Sequence, residues 1–171
     1  MRAPSKRRPR ARKARSPRLT YVEDRGAVYD APLQVVWDFM EDETFHPRAH
    51  SAVVRNFQEK ALSDVTTLLS YEKRNEGRWE KLTCRMTIIS PAVRIQEDLD
   101  GEYAGSKTVF LYTPRGERTV VDVFGYAQSS ELSPAEIRRD RKKTWGNAYS
   151  EDLPWFRRFA EQHPSVKSKR R

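Results

Sequence analysis

The chain of 171 residues has the length of one domain, and its 33 Lys and Arg residues against 24 Asp and Glu residues give a formal net charge of +9. Its single cysteine, Cys84, excludes an internal disulfide, and no apolar run approaches the roughly 20 residues that a membrane-spanning helix needs. The amino terminus is basic but lacks the apolar segment of a secretory signal, so we expect a cytoplasmic protein.

Positive charge is concentrated at the two ends of the chain. Residues 1–18 contain nine basic residues and no acidic one, and 167–171 contain four more. This leaves 20 basic and 24 acidic residues for 19–166, a net charge of −4, which is not the composition of a basic nucleic-acid-binding platform. We therefore predict a disordered basic tail over 1–18, a folded domain over 19–166 and a basic tail over 167–171. The tails leave open a weak contact with nucleic acid or an anionic membrane.

The domain is predicted to begin with a strand and two short helices. Residues 21–29 have the mixed pattern of a first strand, and they are followed by Asp30, a candidate helix cap, and Pro32, a candidate first helical residue. Apolar residues at helical spacing then predict an amphipathic helix over Leu33–Glu41, and a second short helix is expected around 44–49.

From Ser51 the apolar pattern changes to a period of two. Turn sequences separate six predicted strands, which lie near 52–61, 65–74, 79–90, 93–99, 107–113 and 118–128. Leu82, Cys84, Met86 and Ile88 alternate with polar residues, which is typical of antiparallel strands with one face in solvent.

A long C-terminal helix is predicted over 133–163. Ser133 and Glu136 form a capping box around Pro134, and large apolar side chains then recur at helical spacing to give one aromatic face. We expect Pro154 to bend or split this helix, because proline removes a backbone donor and clashes with the previous turn. A long antiparallel sheet curls because its strands twist, and its apolar face can enclose the helix, so the fold class is predicted to be α+β.

This order of elements, together with several local sequences, resembles the START-like, helix-grip superfamily of polyketide cyclase/dehydrase and lipid-transport proteins. Residues 29–39, with Ala31-Pro32 and Val36-Trp37, resemble the family's strand-to-helix opening. Residues 45–50 stand where the family has an aromatic-rich entry to its second strand, and 101–121 resemble its late hairpin. The resemblance spans about 20–163. It implies a curved seven-stranded antiparallel sheet around a long C-terminal helix, in the order β-α-α-β6-α, with a cavity for a hydrophobic ligand between them.

The resemblance leaves the function open, because the superfamily includes carriers, cyclases, hydrolases and co-chaperone-like activators. Our first hypothesis is a domain that binds a hydrophobic small molecule or lipid without a chemical step and without a cofactor. The alternative is a cyclase- or dehydratase-like enzyme that uses a pocket Arg, Tyr or His as acid or base. A third hypothesis is an adaptor that its basic tails tether to nucleic acid or to an anionic membrane.

Side chains from facing elements are the candidates for the wall of the cavity. The predicted ligand-binding residues are Leu69, Tyr71, Met86, Tyr112, Trp145 and Tyr149. For the strand tyrosines Tyr71 and Tyr112, and for Tyr126 as a further candidate, the alternative is packing on the outer face of the sheet. For Trp145 and Tyr149 on the helix, the alternative is a solid core without a cavity. Arg85 and Arg94 would hold a carboxylate or an enolate if buried, but a solvated position is the usual one for arginine.

Two further groups are candidate chemical centres. His46 and His50 are four residues apart, a spacing that shares a metal ion on a helix. Pro47 lies between them and no Glu occupies a metalloprotease position, so we predict a surface loop at the mouth of the sheet and no metal site. The apolar neighbours of Cys84 predict a buried thiol and argue against nucleophilic catalysis.

Overall fold

The structure is a computed structural model of the chain, and it describes residues 17–75, 77–89 and 91–163. The predicted tails lie outside these residues, apart from 17 and 18. None of the helices in the described part is long and apolar enough to cross a membrane.

The described residues form one antiparallel sheet and three helices, which confirms the predicted α+β class and element order. The strands are β1 (Thr20–Tyr29), β2 (Val54–Ser63), β3 (Thr66–Asn75), β4 (Arg78–Ile89), β5 (Val93–Asp98), β6 (Lys107–Arg115) and β7 (Arg118–Ala127). The helices are α1 (Leu33–Glu41), α2 (Phe45–Ala49) and α3 (Pro134–Gln162). The strand order is β1-β7-β6-β5-β4-β3-β2, so β1 and β2 are the two edges.

The mixed pattern of β1 has a structural cause. Its pairing with β7 shifts register between Asp24 and Ala27, and Gly26 adopts a φ of 85° there. The N–H of Gly26 donates to Asp122 Oδ1 at 3.2 Å, so a side chain of β7 holds the bulge. Alternation is therefore lost at the bulge, and Asp122 has a structural contact there.

The entry to α1 differs from the prediction. Asp30 does not cap this helix, which begins after Pro32 without a side-chain cap. The Asp30 carboxylate instead lies 2.9 Å from Arg118 Nε. The turn is held from β7, because the buried Thr119 hydroxyl donates to the carbonyl of Ala31 at 2.9 Å. A tertiary hydrogen bond thus replaces the local cap.

Helix α3 begins as predicted and ends without the predicted break. Both hydrogen bonds of the capping box between Ser133 and Glu136 are present. The helix continues through Pro154, so the predicted split is wrong. Its face is buried on both sides of the proline, at Trp145 and Asp152 before it and at Phe156 and Phe159 after it. We attribute the continuity to this packing, which outweighs one lost backbone hydrogen bond.

The main core lies at the β1-β7-β6 end of the sheet. There α1 and α3 pack against the sheet around Val36, Trp37, Phe39, Ile137 and Phe156. A smaller cluster on β3 and β4 consists of Leu69, Cys84 and Met86. The region between the two clusters contains the cavity described below.

Candidate functional site

A cavity of about 440 Å³ lies between the sheet and helices α2 and α3. Its apolar wall comes from the sheet and from helices α1 and α3, and includes Met40, Met86, Phe110, Val121, Val123 and Trp145. Its polar residues include Tyr29, His46, His50, Arg94, Tyr112 and Asp152. The cavity is therefore mainly apolar, with a group of polar side chains contributed by separate elements.

Four of the six residues predicted from the sequence line this cavity, namely Met86, Tyr112, Trp145 and Tyr149. The structure places Leu69 and Tyr71 elsewhere, in and against the small cluster with Cys84. They lie on β3, farther along the sheet from the main core. Tyr126 points away from the cavity, since it is 52% exposed and packs edge-on against Tyr21. That the four lining residues bind a ligand remains a prediction.

Tyr149 has a second role in the wall. Its hydroxyl donates to the carbonyl of Val28 and accepts from the N–H of the same residue, at 3.2 Å for the latter. Its ring packs edge-on against Tyr29, with the ring centroids 5.3 Å apart. Because the hydroxyl is already bonded to β1, Tyr149 offers a ring surface to the cavity and fixes α3 to the edge of the sheet.

His46 lies on α2, so the surface loop predicted there from Pro47 is wrong, whereas the short helix expected around 44–49 is present. His50 directly follows Ala49, the last residue of this helix. Pro47 is the third residue of the helix Phe45–Ala49. The first-turn N–H groups of a helix have no partner within the helix, so proline is tolerated there. The two rings consequently lie on one side, with their centroids 5.4 Å apart.

Asp152 on α3 faces these histidines. Its Oδ1 lies 3.1 Å from His50 Nε2 and 3.9 Å from His46 Nε2. Its Oδ2 accepts a hydrogen bond from the Tyr29 hydroxyl at 3.2 Å. Oδ1 is buried, and beyond these two ion-pair contacts it has no hydrogen-bond partner among the described residues. His50 Nδ1 lies 2.9 Å from Glu151 Oε2 on its other side.

The two imidazoles have different electrostatic environments. Burial lowers the pKa of His46 to about 4, although the Asp152 carboxylate acts in the opposite direction. Burial also acts to lower the pKa of His50, but the carboxylates of Asp152 and Glu151 outweigh it and raise that pKa above its ordinary value. Burial raises the pKa of the Tyr29 phenol, and the neighbouring Asp152 carboxylate adds to the effect.

Arg94 on β5 reaches the same cavity. Its Nε is buried without a hydrogen-bond partner in the described part of the chain. Burial raises the pKa of the adjacent Tyr112 hydroxyl, and the Arg94 guanidinium opposes this rise. Arg85 has the solvated position expected of a strand arginine, since its side chain is 47% exposed and lies 3.4 Å from Glu97. The same position was expected for both arginines from the sequence, but Nε of Arg94 is buried at the cavity and Arg85 is exposed.

A buried network joins the cavity wall to α3. Gln96, which lines the cavity, donates to Asp98 Oδ1 at 2.7 Å. Asp98 Oδ2 pairs with Arg141 at 2.5 Å, and the Arg141 guanidinium lies 3.8 Å from the ring centre of Tyr103. These contacts hold β5 against the first half of α3.

Sequence reasoning did not identify Asp152. The available signal was its place on the apolar face of α3, three residues after Tyr149 and seven after Trp145. A carboxylate at such a position is buried when the helix packs, and it then needs partners. The partners come from α2 and β1, and their proximity depends on the tertiary fold.

No family model and no curated protein matches the sequence. Solved structures do match. The Zhui aromatase/cyclase from Streptomyces sp. R1128 is 14% identical with a TM-score of 0.65, covering 88% of this chain and 99% of that one. Truncated norcoclaurine synthase from Thalictrum flavum is 8% identical with a TM-score of 0.60, covering 90% and 98%. Human STARD10 is 11% identical with a TM-score of 0.58, covering 89% and 69%.

At these identities the likeness establishes the fold and leaves the function to be argued from the site. The chain shares with these proteins the arrangement built up above, an open seven-stranded antiparallel sheet packed against a long C-terminal helix. The chain therefore has the helix-grip fold that these structures share.

Proposed function

We propose that the domain binds a hydrophobic small molecule in this cavity and places an oxygen-bearing group of the ligand against Arg94. The observation that carries the proposal is a cavity of about 440 Å³ whose wall is mainly apolar and includes this arginine. Small-molecule sites have volumes of about 300–1,000 Å³, apolar walls and few polar anchors.

Arg94 is the polar anchor in this proposal. Among the described residues no carboxylate lies within ion-pair distance of its guanidinium, and its Nε has no acceptor. Buried donors in folded proteins are nearly always paired, so a ligand carboxylate, phenolate or carbonyl oxygen would complete this site. The rings and thioethers of Trp145, Phe110 and Met86 would take the apolar part.

The proposal is tested with two probes that differ in one group, 2-naphthoate and naphthalene. Quenching of tryptophan fluorescence reports on each titration, because Trp145 lies in the wall. We expect micromolar or weaker affinity for naphthoate, as suits a pocket with few polar anchors. Native mass spectrometry of the purified chain then identifies any natural ligand that co-purifies.

Arg94→Gln separates the anchor from the cavity. We expect this variant to bind naphthoate at least 10-fold more weakly and naphthalene unchanged. Arg85→Gln, on the neighbouring strand and exposed, is the matched control and should leave both affinities unchanged. Equal naphthoate binding by wild type and Arg94→Gln would refute the placement of the anchor, and binding of neither probe would refute the proposal.

A second candidate, an enzyme of the cyclase or dehydratase kind, is favoured by the meeting of a cation, a hydroxyl and imidazoles in one cavity. A ketone oxygen held by Arg94 and Tyr112 would become an enolate when an imidazole takes a proton from the neighbouring carbon. The test is the exchange of the methyl protons of 2-acetonaphthone in D₂O, followed by NMR. Exchange faster than buffer alone, and lost in Arg94→Gln, would support the enzyme, and exchange at the buffer rate would leave binding as the function.

A further inference from the structure

Three potential metal ligands converge at the polar end of the cavity. One ligand atom each from His46, His50 and Asp152 lies within 4.8 Å of the other two. His46 lies on α2, His50 directly follows that helix four residues later, and the carboxylate comes from α3. Two imidazole nitrogens and one carboxylate oxygen are ligands that suit Zn²⁺ and similar first-row ions better than Mg²⁺ or Ca²⁺.

The unpartnered oxygen of Asp152 points independently to a ligand. Asp152 is only 6% exposed, and its Oδ1 has no hydrogen-bond partner in the described residues. A buried carboxylate oxygen of this kind is costly unless something positive completes it. Among the described residues, the groups within ion-pair distance of this oxygen are the two Nε2 atoms, at 3.1 Å for His50 and 3.9 Å for His46.

Outer contacts orient two of the three groups. Glu151 Oε2 lies 2.9 Å from His50 Nδ1, so an Nδ1–H that donates to this carboxylate leaves the Nε2 lone pair facing Asp152. Tyr29 donates to Asp152 Oδ2 and leaves Oδ1 directed at the histidines. Metal-ligating histidines and carboxylates are characteristically held in this way, by hydrogen bonds through the atom that does not bind the metal.

We propose that His46 Nε2, His50 Nε2 and Asp152 Oδ1 form a binding site for a divalent transition-metal ion of the Zn²⁺ type. Ligand atoms around such an ion are about 3–3.5 Å apart, given bonds of about 2.0–2.2 Å. The separation of 3.1 Å between His50 and Asp152 already fits, whereas the 3.9 Å from Asp152 to His46 and the distance between the two histidine ligand atoms, which is within 4.8 Å, must shorten by about 1.5 Å at most. Three protein ligands leave a coordination position open towards the cavity.

This inference departs from the absence of a metal site expected from the sequence, where Pro47 argued against a shared helix. The Arg94 guanidinium lines the same cavity and repels a cation bound at this site. The carboxylates of Asp152 and Glu151 oppose that repulsion from the other side. The rival explanation of the cluster is an ion pair between a charged His50 and these carboxylates, without a metal.

The experiment uses the untagged full chain, stripped with a chelator and then titrated with Zn²⁺ by calorimetry and with Co²⁺ by visible absorption. We expect one equivalent of each metal with micromolar or tighter affinity, and no heat with Mg²⁺. Asp152→Asn keeps the shape of the side chain and should weaken binding at least about 100-fold, while Tyr29→Phe, which removes the outer hydrogen bond, should weaken it by about 10-fold.

His163→Gln is the matched control. The chain has three histidines, and His163 stacks on Phe159 outside the cluster, so this variant should bind both metals as the wild type does. Circular dichroism and melting curves establish that each variant is folded. If Asp152→Asn unfolds, His50→Gln replaces it and carries the same expectation.

Absence of Zn²⁺ and Co²⁺ binding to the wild type would overturn the proposal in favour of the ion pair. Binding that survives both Asp152→Asn and His50→Gln, or that His163→Gln removes, would overturn it as well. None of these outcomes depends on the naphthoate titration, so the metal site and the proposed ligand anchor stand or fall separately.

Discussion

Replacing Trp145 by alanine distinguishes a cavity from a solid core. Trp145 is 9% exposed and lies in the cavity wall, so part of its ring already lacks protein neighbours. Truncating a tryptophan or phenylalanine in a close-packed core costs about 3–5 kcal/mol, through lost transfer energy and the void left behind. We expect Trp145→Ala to cost about 2 kcal/mol, because the contacts on its open face are absent in the wild type.

Phe39→Ala is the internal reference for this measurement. Phe39 is 0% exposed and packs edge-on against Phe156 and Phe159, with centroid distances of 5.5 and 5.7 Å. Loss of this smaller ring should cost about 3–5 kcal/mol in urea unfolding, more than loss of the larger indole. Trp145→Ala should also weaken naphthoate binding. A cost for Trp145→Ala equal to that of Phe39→Ala, with no probe bound by the wild type, would show that the region is a solid core.

Three further predictions concern other parts of the chain. Ser133→Ala removes the capping box of α3 and should lower Tm by about 2–4 °C at pH 7. Hydrogen bonds from Ser133 lower the pKa of Glu136 below its ordinary value of 4.5. The stabilisation from these hydrogen bonds is therefore present above pH 4.5 and is lost as the pH falls through the lower pKa of the folded state. A Tm difference between wild type and Ser133→Ala that persists unchanged at about pH 3 would contradict this. Burial raises the pKa of Cys84 to about 12, so at pH 8 only about one thiol in 10⁴ is ionised and iodoacetamide should react with it only after unfolding in urea; rapid labelling of the folded chain would refute its burial. A chain that begins at Leu19 should keep the Tm of the full chain and lose any weak, steeply salt-dependent binding to nucleic acid, whereas binding that survives truncation would place that site on the acidic domain.

The fold could be predicted because its signals are local. Alternation with a period of two identified the strands after Ser51, and the capping box at Ser133 fixed the start of α3. The errors arose where a tertiary contact replaces a local one. Thr119 on β7 holds the start of α1 in place of a cap, and packing on both sides of Pro154 keeps α3 continuous.

The candidate site could be predicted only where local periodicity determines it. Trp145 and Tyr149 lie on the apolar face of α3, and Met86 lies on the apolar face of its strand with Cys84. Periodicity alone therefore places all three inside the domain. Periodicity cannot tell which strand faces the centre of the helix. It therefore could not show that Tyr71 packs against the neighbouring cluster and not in the cavity wall. The polar end joins residues that are 101 positions apart, as in the contact between His50 and Glu151, and no sequence period reports on such a distance.

One face of α3 serves both the core and the site. Its buried positions run from Ile137 through Trp145 to Phe159, and Arg141 and Asp152 lie among them. Each of these two charged residues interrupts the apolar series and meets a charged or polar group from elsewhere in the fold. Arg141 meets Asp98 on β5, and Asp152 meets His46 on α2 and His50 directly after it. A burial cost that apolar residues would avoid is therefore incurred at two places on the helix, and one of them faces the cavity. A charged residue at a buried position of a helix therefore indicates a polar contact with another element, and it can be recognised from its place in the apolar pattern. Asp152 is the one of these two residues that the metal titration tests.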